Sequence, residues 1–192
     1  MRGRAALARV SMLCLLGVFL FPGLPASAAD RDDELAVETR IKAAFIRHFC
    51  TYIDWPDSAF AEPGSPIVLG VAGSDAMVEA LREVVANRTA HGRPMEVREM
   101  EADDPLGELH LLFIADSMQA SIPALAAVAA EQSVLVVTES ADGLETGSAI
   151  NFTVEDDRVK FDIGLARIRH ADLEISAQLL TVARNVRQET VP

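Results

Sequence analysis

Residues 40–56 read RIKAAFIRHFCTYIDWP, and this stretch predicts the helix around which the rest of the fold is organised. Its apolar side chains recur at helical spacing and would form one wide stripe against a core. The stripe consists of Ile41, Ala44, Phe45, His48, Phe49 and Tyr52. The charged residues that fall off the stripe, and are expected to reach water, are Arg40, Lys42, Arg47 and Asp54. We predict a helix over residues 35–53 that ends before Pro56, because a residue preceding proline disfavours the α region.

Residues 1–28 have the pattern of a secretory signal peptide. A basic start is followed by an apolar run at residues 10–21, about a dozen residues, which is too short to span a bilayer. Ala26-Ser27-Ala28 then provides a small-x-small cleavage site. We predict cleavage after Ala28 and an exported chain with no membrane anchor. An uncleaved anchor is the alternative, which the short apolar run and the cleavage motif disfavour.

The predicted mature chain, residues 29–192, has the length of a single domain. Removal of residues 1–28 takes away three arginines and no acidic residue, so the formal charge changes from −12 to −15. Such an acidic chain lacks the basic surface that nucleic acids and anionic lipids require, whereas a basic protein partner remains compatible with it. Cys50 is the only cysteine left, which excludes an internal disulfide, and we expect it to be buried.

Strands and helices alternate through the middle of the chain. Short apolar runs typical of strands covered on both faces occur at residues 67–72, 110–115 and 133–138. Helices are predicted at 76–86 and 121–132, and an edge strand is predicted around Met95 and Val97 after Pro94. A hairpin is predicted at 149–154 and 158–163. A C-terminal helix is predicted over 173–186, with Asp172 as its N-cap. This order predicts an α/β fold: a single-domain three-layer sandwich with a mostly parallel sheet of five or six strands, a C-terminal antiparallel hairpin and helices on both faces.

The best candidate for ligand binding is the turn GVAGS at residues 70–74. Backbone N–H groups between a strand and a helix can hold an anion, so we name Gly70, Gly73 and Ser74 as candidate ligand-binding residues. The turn lacks the spacing of dinucleotide-binding and P-loop motifs. An ordinary strand-to-helix turn capped by Ser74 is the alternative.

No catalytic constellation is evident in the sequence. His48, His91, His110 and His170 show no metal-ligand spacing, and no G-x-S-x-G motif is present. His48 is expected on the buried side of its helix, and Cys50, two residues later, would face another direction. We predict a protein that is not an enzyme and that has no metal and no cofactor. A hydrolase with an unrecognised site is the enzymatic alternative.

Several segments resemble the YfiR family of bacterial periplasmic proteins. They span residues 40–187 and comprise KAAFI at 42–46 with Phe49 and with WP at 55–56, IVLGV at 67–71 with Gly73, HLLFI at 110–114, INF at 150–152, VKFDI at 159–163, and Ile175, Ser176, Leu179, Leu180 and Ala183. The chain departs from the family's pattern at Leu109, Gly164 and Asp172. Many members have a disulfide cysteine where Leu109 stands, so the resemblance implies that this chain holds its fold by packing alone.

The resemblance implies a periplasmic regulator, a homodimer in many relatives, that binds the periplasmic domain of a membrane-bound diguanylate cyclase and keeps it inactive. A sensor kinase is a second possible partner. We name Trp55, Phe60, Phe152 and Leu173 as candidate partner-binding residues, because they are large apolar residues near predicted element ends. Their alternative role is burial in the core. A periplasmic small-molecule-binding sensor is the alternative function.

Overall fold

The structure, a computed structural model, describes residues 28–101 and 103–188. The predicted signal peptide falls almost entirely outside them. The helices are α1 (Ala28–Tyr52), α2 (Asp75–Val85), α3 (Ile122–Ala130), α4 (Gly143–Thr146), α5 (Leu165–His170) and α6 (Ala177–Val182), with short 3₁₀ segments at Asp57–Ala59 and Asp116–Ser121. The strands are β1 (Ile53–Asp54), β2 (Ile67–Ala72), β3 (Thr89–Ala90), β4 (Arg93–Met100), β5 (Leu111–Ile114), β6 (Leu135–Thr138), β7 (Ile150–Glu155), β8 (Arg158–Gly164), β9 (Glu174–Ile175) and β10 (Asn185–Arg187).

One mostly parallel sheet runs through the described residues in the order β10-β8-β7-β6-β5-β2-β4-β3. The hairpin β7–β8 is antiparallel, as is the short pair β3–β4, and the remaining pairs are parallel. The predicted α/β class is confirmed. The six predicted strands form the centre of the sheet, and the short strands β3 and β10 extend it at its two edges. β1 and β9 form a separate antiparallel pair.

Side chains of the central strands point alternately to two apolar layers, as the strand period requires. Leu69 and Val71 of β2 join the layer formed with α1 and α2. Val68 and Ala72 of the same strand join the layer formed with α3. Because helices cover both faces, the central strands are continuous apolar runs, and this is why the sequence pattern identified them.

The helix α1 is rotated relative to its predicted orientation. Its inward face carries Ala43, Ile46, Phe49 and Cys50, all fully buried. His48, predicted to be buried, is exposed. Lys42, predicted to reach water, is buried because its Nζ pairs with the carboxylates of Glu38 and Glu139. Two apolar stripes overlap on this helix, and the ion pairs of Lys42 allow the face that carries a lysine to turn inward.

Cys50 lies on that inward face and is free, as expected for a chain without an internal disulfide. Burial raises the pKa of its thiol to about 12. The thiol is therefore protonated at neutral pH and packs as a small apolar side chain.

The C-terminal segment is not the continuous helix that the sequence predicted. Asp172 is not an N-cap: with a φ of 57° it follows the C-cap of α5, where its N–H donates to the carbonyl of Arg169 and closes that helix. Ser176 instead caps α6 by accepting a hydrogen bond from the N–H of Gln178. The chain then leaves the helix and pairs with β8 as the parallel edge strand β10. Arg184 anchors this change through an ion pair with the buried carboxylate of Asp162 and a backbone hydrogen bond to Phe161.

The observed rotation of α1 predicts different costs for one substitution at two sites. Ile46→Ala should destabilise the protein by about 2–5 kcal/mol, because it leaves a cavity in the core. Ile41→Ala, the same change on the exposed face, should alter the free energy of unfolding by no more than about 0.5 kcal/mol. Urea denaturation measures both values. Equal losses at the two sites would contradict this orientation of α1.

Candidate functional site

An apolar stripe on α1 lies on the side of the helix opposite its fully buried residues, and Phe45 and Tyr52 at the edge of this stripe pack against the core. We call it the open stripe; its members are Val37, Ile41, Ala44, Phe45, His48 and Tyr52. Val37 and His48 are exposed, and Ile41 retains 41% of its accessible surface. His48 and Tyr52 stack with ring centroids 6.3 Å apart. The stripe thus presents aliphatic and aromatic surface along more than four turns of one helix.

Four phenylalanine rings, one of which is Phe45 of the open stripe, fix the position of α1. Phe45 and Phe49 of α1 pack against Phe152 and Phe161 of the hairpin β7–β8. The closest pair, Phe49 and Phe161, meets edge to face with centroids 5.0 Å apart. Such edge-to-face packing is a favoured aromatic geometry, so it restrains the rotation of α1.

The helix α6 borders the open stripe. It contacts α1. Ser176, which immediately precedes α6, donates a backbone hydrogen bond to the carbonyl of Tyr52 at the end of α1. Leu180 is half-buried against the same core, whereas Val182 is largely exposed. Val182 therefore adds one exposed aliphatic side chain on a helix that contacts α1.

The four candidate partner-binding residues do not form one surface. Phe152 is in the aromatic cluster under α1, and Leu173 and Trp55 are also buried. Phe60 is half-buried. Trp55 and Leu173 line one cleft with an acidic rim that includes Asp54 and Glu174. Their sequence positions near element ends did not distinguish a surface anchor from a core residue, and their role in partner binding stays a prediction.

The candidate ligand-binding turn is occupied by the protein's own chain. A Cβ on Gly70 would come within 2.7 Å of Leu109, and one on Gly73 within 2.6 Å of the Ser117 hydroxyl. Gly73 has a φ of +82°, and its carbonyl accepts a hydrogen bond from Ser117. Ser74 caps α2 by accepting a hydrogen bond from Met77. Packing and turn geometry account for all three residues, and ligand binding by them stays a prediction.

His110 lies at a polar junction that brings together distant parts of the chain. Its ring Nδ1 accepts a hydrogen bond from the N–H of Val68 at 3.1 Å, and its carbonyl accepts one from Trp55 Nε1 at 2.9 Å. Phe60 stacks on the imidazole with centroids 4.4 Å apart. The guanidinium of Arg93 also lies over the Phe60 ring, 3.7 Å from its centroid. The partners are 42 and 55 residues away in sequence, so no local pattern marks this site.

The imidazole of His110 is neutral at physiological pH. Burial lowers its pKa to about 4, and the positive charge of Arg93 acts in the same direction. The nearby carbonyls of Ala59 and Glu108 act against this shift but do not reverse it. Because Nδ1 accepts a hydrogen bond, the single ring proton is on Nε2.

Comparisons with known proteins give one family match. A family model described as YfiR/HmsC-like matches residues 39–184, which include most of the open stripe and the junction at His110. A comparison with curated proteins finds no match. In the described part of the chain, no helix is long and apolar enough to cross a membrane. The same residues hold no group of three or more His, Cys, Asp and Glu side chains suited to a metal ion.

The lowered pKa of His110 predicts a pH-dependent stability. Between its folded pKa of about 4 and its ordinary value of 6.5, the unfolded chain binds more protons than the folded chain. Stability therefore falls as pH decreases through this window, by about 2–3 kcal/mol from His110 alone. Urea denaturation between pH 7 and pH 4 measures the loss. His110→Asn should remove this part of the dependence, whereas His170→Asn at an exposed position should retain it; identical pH profiles for both variants would contradict the assignment.

Proposed function

Because the chain belongs to the YfiR/HmsC-like family, whose members are periplasmic regulators of diguanylate cyclase signalling, we propose that it binds the periplasmic domain of an inner-membrane diguanylate cyclase and holds that enzyme inactive. The observation that carries the proposal is the open stripe, an apolar helix face on which Val37, Ile41 and His48 are exposed. The protein would act by contact and would perform no reaction itself.

The open stripe has the properties of a protein-binding face. Ile41 and Val37 are exposed aliphatic side chains, and Phe45 and Tyr52 add half-buried aromatic rings of the kind that provide much of the affinity at interfaces. The aromatic cluster beneath holds α1 in place, so little ordering entropy would be lost on binding. Arg40, exposed beside the stripe, would favour an acidic group on the partner.

Inhibition by contact requires a preference for one state of the partner. A regulator changes a conformational equilibrium only by the difference between its affinities for the two states. We propose that the open stripe binds the cyclase in its inactive arrangement and covers a surface that the active arrangement buries. Dissociation of the regulator would then raise the cyclic-di-GMP concentration.

The chain offers a matched pair of substitutions that tests this docking face. Ile41→Glu places a charge in the open stripe and should weaken binding to the cyclase domain at least tenfold, because burial of an unpaired carboxylate is costly. Val128→Glu is the control: Val128 is 45% exposed on α3, across the sheet, and should leave binding unchanged. Isothermal titration with the purified periplasmic domain measures both affinities. Equal weakening, or none, would contradict the assignment of the stripe.

Cellular signalling provides an independent test of the regulatory role. Deletion of the gene should raise cyclic-di-GMP and biofilm formation, since the cyclase would lose its inhibitor. Complementation with the wild type or Val128→Glu should restore the low level, whereas Ile41→Glu should not. An unchanged cyclic-di-GMP concentration after deletion would count against the whole proposal.

We also propose that the protein is a homodimer, on the strength of its family. Light scattering coupled to size exclusion should give twice the mass of one chain. The Ile41→Glu variant distinguishes the dimer interface from the cyclase-binding face. It should remain dimeric if the open stripe binds only the cyclase. A single-chain mass for the wild type at all concentrations would refute the dimer.

A further inference from the structure

The exposed part of the open stripe has the spacing of a helix-pairing surface. Val37, Ile41, Ala44 and His48 follow one another at intervals of four, three and four residues, and all four are exposed or half-buried. We call these four residues the seam. Two α-helices that pack along each other use this same alternation, with the side chains of one helix inserted between those of the other. The seam is about 16 Å long, which is enough to seat three turns of a second helix.

Two arginines flank the seam on one side. Arg40 and Arg47 are seven residues apart, so they lie on nearly the same side of α1 and about 10 Å apart along its axis. Arg40 is exposed and Arg47 is half-buried. Neither forms an ion pair with a carboxylate of the residues that the structure describes. Glu79 and Glu83 line the surface groove beside Arg40, but Glu79 pairs with Arg82 instead.

The unpaired state of these arginines points to a carboxylate on another molecule. The chain is strongly acidic, and Arg98, Lys160 and Arg184 each pair with one of its own acidic side chains. Two positive charges left unpaired beside an apolar surface would attract a partner with acidic groups at the matching positions. Such charges at the rim of an interface mainly determine which partner binds and in which register.

His48 is a neutral member of the seam. Its Nε2 lies 2.8 Å from a guanidinium nitrogen of Arg47 and accepts that hydrogen bond, which a protonated imidazole cannot do. Burial and the positive charge of Arg47 both lower the pKa of His48. The guanidinium has five N–H donors, so this bond leaves others for a carboxylate. A partner can therefore cover His48 at neutral pH without burying a charge on the imidazole.

A second copy of α1 does not match this charge pattern. In an antiparallel pair that overlaps the whole seam, the same flanks of the two helices meet, so the arginines of the two copies would face each other. In a parallel pair the arginines would face the opposite flank, which carries Phe45, Tyr52 and Glu38. Glu38 already pairs with Lys42. Neither direction supplies both arginines with carboxylates, so the seam fits a different chain.

We propose that the element that covers the open stripe is an amphipathic α-helix of the cyclase's periplasmic domain, with two acidic residues seven positions apart that pair with Arg40 and Arg47. This inference rests on the proposed function and adds to it the class and charge pattern of the partner element. An extended strand fits the arginines poorly, because its residues about 10 Å apart are three positions apart and point to opposite faces. A helix places both carboxylates on one side.

Hydrogen exchange tests the class of the partner element. The periplasmic domain of the cyclase is followed alone and in complex with the regulator without residues 1–28. We expect the protected amides to lie on one surface helix that has acidic residues seven positions apart. Protection confined to a strand or a loop of the cyclase domain would overturn the proposal.

Charge reversal tests the two ion pairs. The double variant Arg40→Glu/Arg47→Glu should weaken binding at least about tenfold in isothermal titration, because two attractions become two repulsions. The matched control is Arg88→Glu/Arg158→Glu, which changes the net charge equally at two exposed positions outside the seam and should bind like the wild type. Replacing the two acidic residues of the partner helix by arginine should restore the affinity of Arg40→Glu/Arg47→Glu, and this recovery also demonstrates that the variant is folded.

The Ile41→Glu variant separates the failure of this proposal from the failure of the proposed function. If Ile41→Glu abolishes binding while Arg40→Glu/Arg47→Glu binds like the wild type, the docking face is retained and the acidic helix is refuted. If neither variant affects binding, the open stripe is not the docking face and both proposals fail. Equal losses in the two charge-reversal variants, or no recovery with the reversed partner helix, would likewise overturn the pairing with Arg40 and Arg47.

Discussion

The packing of four phenylalanine rings between α1 and the hairpin β7–β8 determines where the rest of the molecule lies. Phe49 meets both Phe152 and Phe161, which places the inward side of α1 over the sheet. Once this side is fixed, Ile46 and Cys50 must be buried and Ile41 must be exposed, because the helical period leaves no other choice. The same packing places the end of α1 so that Trp55 reaches the carbonyl of His110. The proposed docking face and the polar junction at His110 therefore both depend on this one contact.

Polar contacts add specificity at places where apolar packing alone would leave several arrangements open. The ammonium group of Lys42 is buried, but its hydrogen bonds and charge interactions with Glu139 and Glu38 outweigh the burial, and its pKa is raised. Glu139 follows β6 directly, so this ion pair connects α1 to the end of a central strand. Arg184 makes the corresponding connection at the edge of the sheet through Asp162. Buried ion pairs contribute little net stability in general, and we infer that these two select a particular register.

The elements that could be predicted from the sequence are those whose pattern is local. The strand at Ile67–Ala72 is apolar at every position because both of its faces are covered, and Ser74 caps the helix that follows it. The rotation of α1 could not be predicted, since the stripes through Ile41 and through Ile46 are both apolar and only distant contacts choose between them. The C-terminal segment has helical periodicity, but its outcome depends on Asp162, 22 residues before Arg184. The role of His110 likewise depends on residues far away in the chain.

Cys50 is fully buried in this arrangement, and its thiol forms no covalent link. The covalent framework of the described residues is consequently the same in oxidising and reducing surroundings. Folding of the described residues needs no disulfide-forming enzyme. The redox state of the surroundings therefore exerts no control over when these residues fold.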